Sequence, residues 1–135
     1  MSLNCKTPAD VLKTLKDDEI NFVDLRFTDP RGKWQHLTMT TEFIDEDSFT
    51  DGIMFDGSSI AGWKAIHESD MSLVPDSTTA VMDPFAAQPP MILICHCMEP
   101  TTGQPYGRDS RSVAKKAEAY LNSTGIGDTA YFGPE

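Results

Sequence analysis

The sequence lacks any long hydrophobic run. Its longest apolar stretch, residues 91–95, is far too short to cross a bilayer. The first residues carry no basic region followed by an apolar one, so no secretory signal is predicted. Cysteine is scarce too, with Cys5, Cys95 and Cys97 the three in the chain. Without an export signal we expect these three to be reduced thiols in a cytoplasmic protein that has no membrane partner.

Positive charge is the second deficit. The 135 residues include 11 Lys and Arg against 21 Asp and Glu, which gives a formal net charge of −10. Phosphate backbones are bound by clustered basic side chains, so this balance argues against nucleic acid as a partner. The chain also contains no glycine-rich phosphate loop and no Ser or Cys nucleophile that can be paired with a base.

What is present is the composition of a globular protein, 39% hydrophobic and 24% charged. The segment Thr7-Pro8-Ala9-Asp10 has the cap, the proline and the first-turn acid of a helix start. Residues 21–28 alternate between apolar and polar side chains, and residues 34–40 alternate again after an Asp-Pro-Arg-Gly turn. These two runs predict a β-hairpin that follows a short helix.

Further strands are predicted at residues 71–74 and 79–82, and the most apolar run predicts a buried strand at Met91–Met98. One helix against several short strands in mixed order makes residues 1 to about 100 a small α+β domain. Residues 101–109 are polar and rich in Gly and Pro, which predicts a linker.

A second helix is predicted after the linker, capped by Asp109 or Ser110 and ended by Gly125. Thr129–Phe132 is typical of another strand. A helix and a lone strand cannot form a domain, so we expect this segment to open something larger.

Cys95-His96-Cys97 permits a zinc interpretation, because thiolate and imidazole are good zinc ligands. In a strand, however, the two cysteines share one face while His96 points to the other. Buried structural cysteines are therefore the favoured interpretation. His36 and His67 are isolated, and neither is assigned a role.

The segment Phe55–Trp63 places one carboxylate, Asp56, before a glycine that permits positive φ and before two serines. Asp-Gly by itself is above all a turn signal. A turn requires neither two hydroxyls nor the Ile and Trp that follow, so the segment also suits a loop that binds a small polar ligand. A carboxylate accepts charge-assisted hydrogen bonds, and its natural ligand is a cation or an amine.

The same residues resemble the N-terminal signature of the glutamine synthetase family. Phe-Asp-Gly-Ser-Ser is followed after eight residues by Glu68-Ser69-Asp70, and the flanking segments 23–29, 62–64, 83–85 and 111–114 are similar too. Residues 60–64 resemble the bacterial type I branch. The resemblance implies a β-grasp domain at residues 1–104 and the start of a catalytic domain at residues 105–135.

The family relation further implies an ATP-dependent ligase that makes glutamine from glutamate and ammonium through γ-glutamyl phosphate. Two Mg²⁺ or Mn²⁺ ions and ATP are implied, in a homododecamer whose active sites lie between neighbouring subunits. Asp56 matches the residue that binds ammonium and helps to take its proton, and Ser59 lines the same site. Trp63 matches an aromatic of the same loop, and Glu135 matches a metal ligand.

Two alternatives stay open from the sequence. One is a family relative that joins glutamate to another amine. The other is a non-catalytic binding module, since β-grasp domains are often used for binding alone. The 135 residues by themselves are expected to be inactive, because one glutamate cannot hold two octahedral metal ions.

Overall fold

A computed structural model describes residues 3–133. Within that range the chain forms two α-helices and seven β-strands of one mixed sheet. The elements are α1 (Pro8–Asp17), β1 (Phe22–Thr28), β2 (Trp34–Thr40), β3 (Ile53–Asp56), β4 (Asp70–Pro75), β5 (Val81–Met82), β6 (Met91–Glu99), β7 (Gln104–Pro105) and α2 (Ser110–Thr124). The predicted α+β class is confirmed.

Helix α1 begins as the sequence predicts. The Asp10 N–H donates to Thr7 Oγ1 at 3.2 Å, and the Thr7 N–H donates to Asp10 Oδ2 at 2.9 Å, which forms a reciprocal capping box. Val11 and Leu15 are buried on one side of the helix. A ten-residue helix is marginal in isolation, so this apolar contact with the sheet is what stabilises it.

The predicted hairpin is confirmed, with β1 antiparallel to β2 and Leu25 opposite Leu37. Its turn is organised by Asp29, whose Oδ1 accepts hydrogen bonds from the N–H groups of Arg31 and Lys33, both at 2.9 Å. The side chain of Asp29 is buried, so these bonds replace the water that the carboxylate loses.

Strand β6 lies at the centre of the sheet order β2-β1-β6-β4-β3. It is parallel to β1 and antiparallel to β4, and the short strands β5 and β7 also pair with it. The alternate residues that face the core are fully buried: Val23 and Leu25 of β1, Met71 and Leu73 of β4, and Met91, Leu93, Cys95 and Cys97 of β6. The prediction of a buried strand here is confirmed.

Helix α2 has the predicted ends, with Asp109 as its N-cap and Gly125 as its C-cap. Its apolar side is exposed, however: Val113 is 55% and Tyr120 73% accessible. The segment before it was predicted as a linker, but it contains β7 and the buried side chains of Tyr106 and Asp109. Residues 104–109 are thus packed on the sheet.

Two strand predictions need correction. Residues 79–82 form a strand only at Val81–Met82, because residues 77–79 form a 3-10 turn capped by Asp76. The strand predicted at Thr129–Phe132 is wrong. Tyr131 and Phe132 are each more than 90% exposed, and no strand of residues 3–133 lies beside them to supply hydrogen bonds.

The helices within residues 3–133 include none that is both long and apolar enough to span a membrane.

A polar network covers the outer face of the hairpin. Asp24 is 3% exposed, and its carboxylate accepts hydrogen bonds from His36 Nδ1 and Thr38 Oγ1, each at 2.7 Å, and from Arg26 Nε at 2.6 Å. Arg26 also donates to Asp83 at 3.0 Å, which joins the hairpin to the loop before β6. Burial acts most strongly on the pKa of Asp24 and raises it, but the bonds from His36, Arg26 and Thr38 together hold the pKa below its ordinary value.

We expect Asp24→Asn to lower the free energy of unfolding at pH 7 by about 2–3 kcal/mol, because it removes the charge from three hydrogen bonds. Since the folded-state pKa of Asp24 lies below its unfolded value, the stabilisation is complete above about pH 4 and is lost as the pH falls through the folded-state pKa. Urea unfolding followed by circular dichroism from pH 7 to pH 2 measures both effects.

Asp17→Asn is the matched control, because Asp17 pairs with Lys13 on an exposed helix surface. It should change the free energy of unfolding by less than about 0.5 kcal/mol. Equal losses for the two variants would contradict the importance of the Asp24 network.

Candidate functional site

The candidate site is the turn that follows β3. Residues 57–59 form a 3-10 turn with Asp56 as its N-cap. Gly57 lies against β4: its N–H donates to the Ser69 carbonyl at 2.7 Å, and a Cβ here would overlap Met71, lying 2.8 Å from its Cγ. The sequence indicates that Gly57 permits positive φ, but in this loop positive φ occurs at Gly62. Gly57 is required because the backbone approaches Met71 too closely for a side chain.

Asp56 is exposed, and its carboxylate is oriented by Ser58. Asp56 Oδ1 accepts from Ser58 Oγ at 2.6 Å and from the Ser58 N–H at 2.9 Å. The Ser58 hydroxyl, then its N–H, lower the pKa of Asp56; the Ser69 hydroxyl adds to this and partial desolvation opposes it. The group is therefore an ionised carboxylate at neutral pH.

The same local geometry occurs at Asp76, which shows what is distinctive about Asp56. Asp76 Oδ1 accepts from Thr78 Oγ1 at 2.6 Å and from the Thr78 N–H at 3.1 Å. Asp76 also forms an ion pair with Arg111 at 2.5 Å. Within residues 3–133, no Lys, Arg or His nitrogen lies within 4.0 Å of the Asp56 carboxylate. Asp56 is thus available to bind a cation, whereas Asp76 has one already.

The surroundings of Asp56 are acidic. Asp70 is its partner across β3 and β4, and Asp70 and Glu68 line an open groove of about 650 Å³ that also includes His67 and the ion pair of Lys64 with Glu99. Acidic side chains on one surface raise the local concentration of cations. Ser59 is exposed on the same turn as Asp56, and its hydroxyl makes no hydrogen bond within the described part of the chain.

Trp63 lies beneath this surface rather than on it. The indole is 6% exposed, stacks on Phe27 with 5.4 Å between ring centroids, and meets Tyr106 edge-on at 5.3 Å. Its Nε1 is buried and has no hydrogen-bond partner among the described residues. In this conformation Trp63 anchors the loop, and its contact with substrate stays a prediction.

The structure brings Asp56 and Ser59 onto one exposed turn and separates Trp63 from it. Glu135, predicted as a metal ligand, lies outside the described residues. Ser58 is the functional candidate that sequence reasoning passed over. The available signal was its position two residues after Asp56, where a hydroxyl closes a turn on the preceding carboxylate.

Cys95 and Cys97 are both fully buried, as the strand pattern predicts, and burial raises the pKa of both thiols. Among residues 3–133 no group of three or more His, Cys, Asp or Glu side chains is arranged to hold a metal ion.

The sequence model of the family described as "Glutamine synthetase, beta-Grasp domain" matches residues 19–100. The chain belongs to the glutamine synthetase family. Its fold agrees with this. A cryo-EM structure of Plasmodium falciparum glutamine synthetase superposes with a TM-score of 0.85 at 20% identity, over 94% of this chain and 25% of that one. The predicted β-grasp fold and family are confirmed, and the chain corresponds to the N-terminal domain of a glutamine synthetase.

Curated relatives of the glutamine synthetase family are much closer in sequence. A glutamine synthetase of Bradyrhizobium diazoefficiens is 62% identical over 130 residues, which are 96% of this chain and 28% of the relative. A protein of Cupriavidus pinatubonensis named 3-hydroxylaminophenol mutase is 58% identical over 127 residues, 94% of this chain and 27% of that protein. The chain therefore spans little more than a quarter of the length of the curated relatives it matches.

The two serines of the loop allow a matched test of how Asp56 is held. We expect Ser58→Ala to raise the pKa of Asp56 toward its ordinary value of about 3.9, because the variant removes the hydroxyl that lowers it most and keeps the N–H. Ser59→Ala should leave this pKa unchanged. Carboxyl ¹³C chemical shifts followed through a pH titration measure both. An equal response to the two substitutions would contradict the assignment of Ser58.

Proposed function

We propose that this chain supplies the ammonium-binding loop of a glutamine synthetase, the ATP-dependent ligase that makes glutamine from glutamate and ammonia through γ-glutamyl phosphate. The observation that carries the proposal is Asp56. It is an exposed, ionised carboxylate on a fixed turn, without a cationic partner among the described residues, in a domain of this family. The domain boundaries that go with this proposal are residues 1–104 and 105–135.

Ammonium needs hydrogen-bond acceptors and a negative charge. Asp56 supplies the charge, and each hydrogen bond from a cation to its carboxylate contributes about 1.5–3 kcal/mol once water is excluded. Ser59 supplies a hydroxyl oxygen on the same turn. Ser58 orients the carboxylate and lowers its pKa, and the negative charge favours the capture of ammonium over neutral ammonia.

The proposed enzyme also uses ATP and two Mg²⁺ or Mn²⁺ ions. Residues 3–133 include no cluster of side chains that fits a metal ion, so no step of the mechanism is derived for the metals. Glu135 is proposed as one ligand, which other glutamates of the complete enzyme would join. Likewise, no residue of this chain is assigned to ATP or to glutamate, and the 135 residues alone are proposed to be inactive.

The proposed assembly is a cytoplasmic homododecamer in which Asp56, Ser59 and Trp63 contribute to the active site of a neighbouring subunit. Two observations support a site shared with another protein surface. Asp56 lies exposed at the end of an outer strand of the sheet. The apolar side of α2, including Val113 and Tyr120, is uncovered.

A second candidate function comes from the relative that is named a mutase. Its identity to this chain, 58%, is close to that of the glutamine synthetases, so the domain can accompany an activity other than glutamine synthesis. A ligase that joins glutamate to a different amine is the alternative that differs least from the proposed glutamine synthetase. Assay of the full-length protein with glutamate, ATP and either ammonium or a primary amine distinguishes the two ligase reactions.

In the full-length enzyme we expect Asp56→Asn to raise the KM for ammonium by about 10- to 100-fold, the equivalent of one lost charge-assisted hydrogen bond. The KM for ATP should stay within about twofold, because Asp56 is proposed to contact the amine alone. Steady-state kinetics with each substrate varied in turn measures this.

Asp51→Asn is the control, since Asp51 is an exposed carboxylate just before β3 whose side chain makes no hydrogen bond within residues 3–133. Asp51→Asn should leave the KM for ammonium and the KM for ATP unchanged. An Asp56→Asn enzyme with wild-type ammonium kinetics, or a full-length protein that makes no glutamine, would overturn the proposed function.

A further inference from the structure

Residues 62–64, in the loop that follows the turn of Asp56, are held by contacts with a distant part of the chain. This part, residues 99–108, runs from the last residue of β6 to the residue before the cap of α2 and is called here the 99–108 segment. Arg108 Nη1 donates to the carbonyl of Gly62 at 2.7 Å, a contact between residues 46 positions apart. Gly62 is three residues beyond Ser59 and directly precedes Trp63.

The conformation of Gly62 makes the contact with Arg108 possible. Gly62 has φ +87°, a value that residues with a side chain adopt only with strain. A Cβ at this position would meet no atom within 4 Å, so the glycine is not required by packing. Its role is to turn the backbone so that the carbonyl faces the guanidinium.

Two further contacts join the same parts. Lys64 Nζ lies 2.7 Å from both carboxylate oxygens of Glu99, and its charge lies 5.4 Å from the centre of the Tyr106 ring. The Tyr106 ring also packs edge-on against Trp63. Glu99, Tyr106 and Arg108 thus contact three consecutive loop residues, 62 to 64, from one side.

We propose that Arg108 is a positioning residue for the ammonium loop: through the Gly62 carbonyl it fixes the backbone between the exposed turn of Asp56 and Ser59 and the buried Trp63. This inference rests on the proposed function. Arg108 is not recorded in contact with Asp56 or Ser59, so it acts through the backbone. Since residues 60–69 lie outside the strands of the sheet, these contacts replace the ladder of hydrogen bonds that holds β3 and β4.

Fluorescence of Trp63 reports on the loop without any assay of activity. The 135 residues contain two tryptophans, so in this 135-residue chain Trp34→Phe leaves Trp63 as the single tryptophan emitter. In that background Arg108→Met should increase acrylamide quenching by at least about twofold, because loosening of the loop exposes a buried indole. Arg108→Lys should give an intermediate value. The control Arg31→Met changes an exposed arginine of the β1–β2 turn and should have no effect.

Kinetics of the full-length enzyme gives the second measurement. Arg108→Met should raise the KM for ammonium by about three- to tenfold and leave the KM for ATP within about twofold, with partial rescue in Arg108→Lys. Gly62→Ala alters the same contact from the other side without a clash. In the Gly62→Ala background, Arg108→Met should therefore raise the KM for ammonium by a smaller factor than it does in the wild-type enzyme.

The positioning role of Arg108 is overturned if Arg108→Met shows no more acrylamide quenching than the control Arg31→Met. It is also overturned if Arg108→Met leaves the KM for ammonium unchanged. Fully additive effects of Arg108→Met and Gly62→Ala overturn it too. These failures differ from failure of the proposed function, which is decided by glutamine formation and by the ammonium kinetics of Asp56→Asn. If Asp56→Asn impairs ammonium use while Arg108→Met does not, the function stands and the positioning role falls.

Discussion

Strand β6 makes the hydrogen bonds that join the two halves of the sheet. It pairs in parallel with β1 on one side and antiparallel with β4 on the other, and its core-facing residues are fully buried. Two parallel strands that are neighbours in a sheet must be joined by a long crossover, and the crossover from β1 to β6 comprises residues 29–90. The crossover contains β3, β4 and the loop of Asp56. The position of the candidate site therefore follows from the pairing of β4 with β6.

The loop combines an apolar underside with a polar tip. In β3, successive side chains point to opposite faces, so Phe55 packs against Phe27 with 5.2 Å between ring centroids while Asp56 is exposed. Seven residues later Trp63 returns to the same aromatic cluster. The two ends of this loop are therefore fixed in one aromatic cluster, which reduces the entropic cost of ordering Asp56 and Ser59 when a ligand binds.

The elements that the sequence predicts well are those with a local signal. Thr7 and Asp10 define the start of α1, strict alternation defines β1, and the apolar run at Met91 defines β6. The strand predicted at Thr129 failed because a strand depends on a neighbour that no local pattern reveals.

The same distinction applies to the site. Asp56 and Ser59 are predicted from a motif, whereas the contact between Arg108 and Gly62 spans 46 residues and has no local signature. The close approach of Gly57 to Met71 has no local signature either, since it depends on the pairing of β3 with β4. Contacts between segments distant in sequence are what the structure adds.

The lowered pKa of Asp56 divides the proposed chemistry into two parts. A carboxylate whose pKa is lowered by Ser58 binds ammonium well, but its charge also raises the pKa of the bound ammonium, which opposes deprotonation. Exclusion of water acts on both partners in the opposite sense: it raises the pKa of the carboxylate and lowers that of the ammonium. Capture therefore suits the exposed loop seen here, whereas proton transfer requires a second surface to cover Asp56. Asp56, an exposed carboxylate at the outer edge of the domain, is suited to capture ammonium. The neighbouring subunit of the proposed assembly would supply the surface that covers Asp56 for proton transfer.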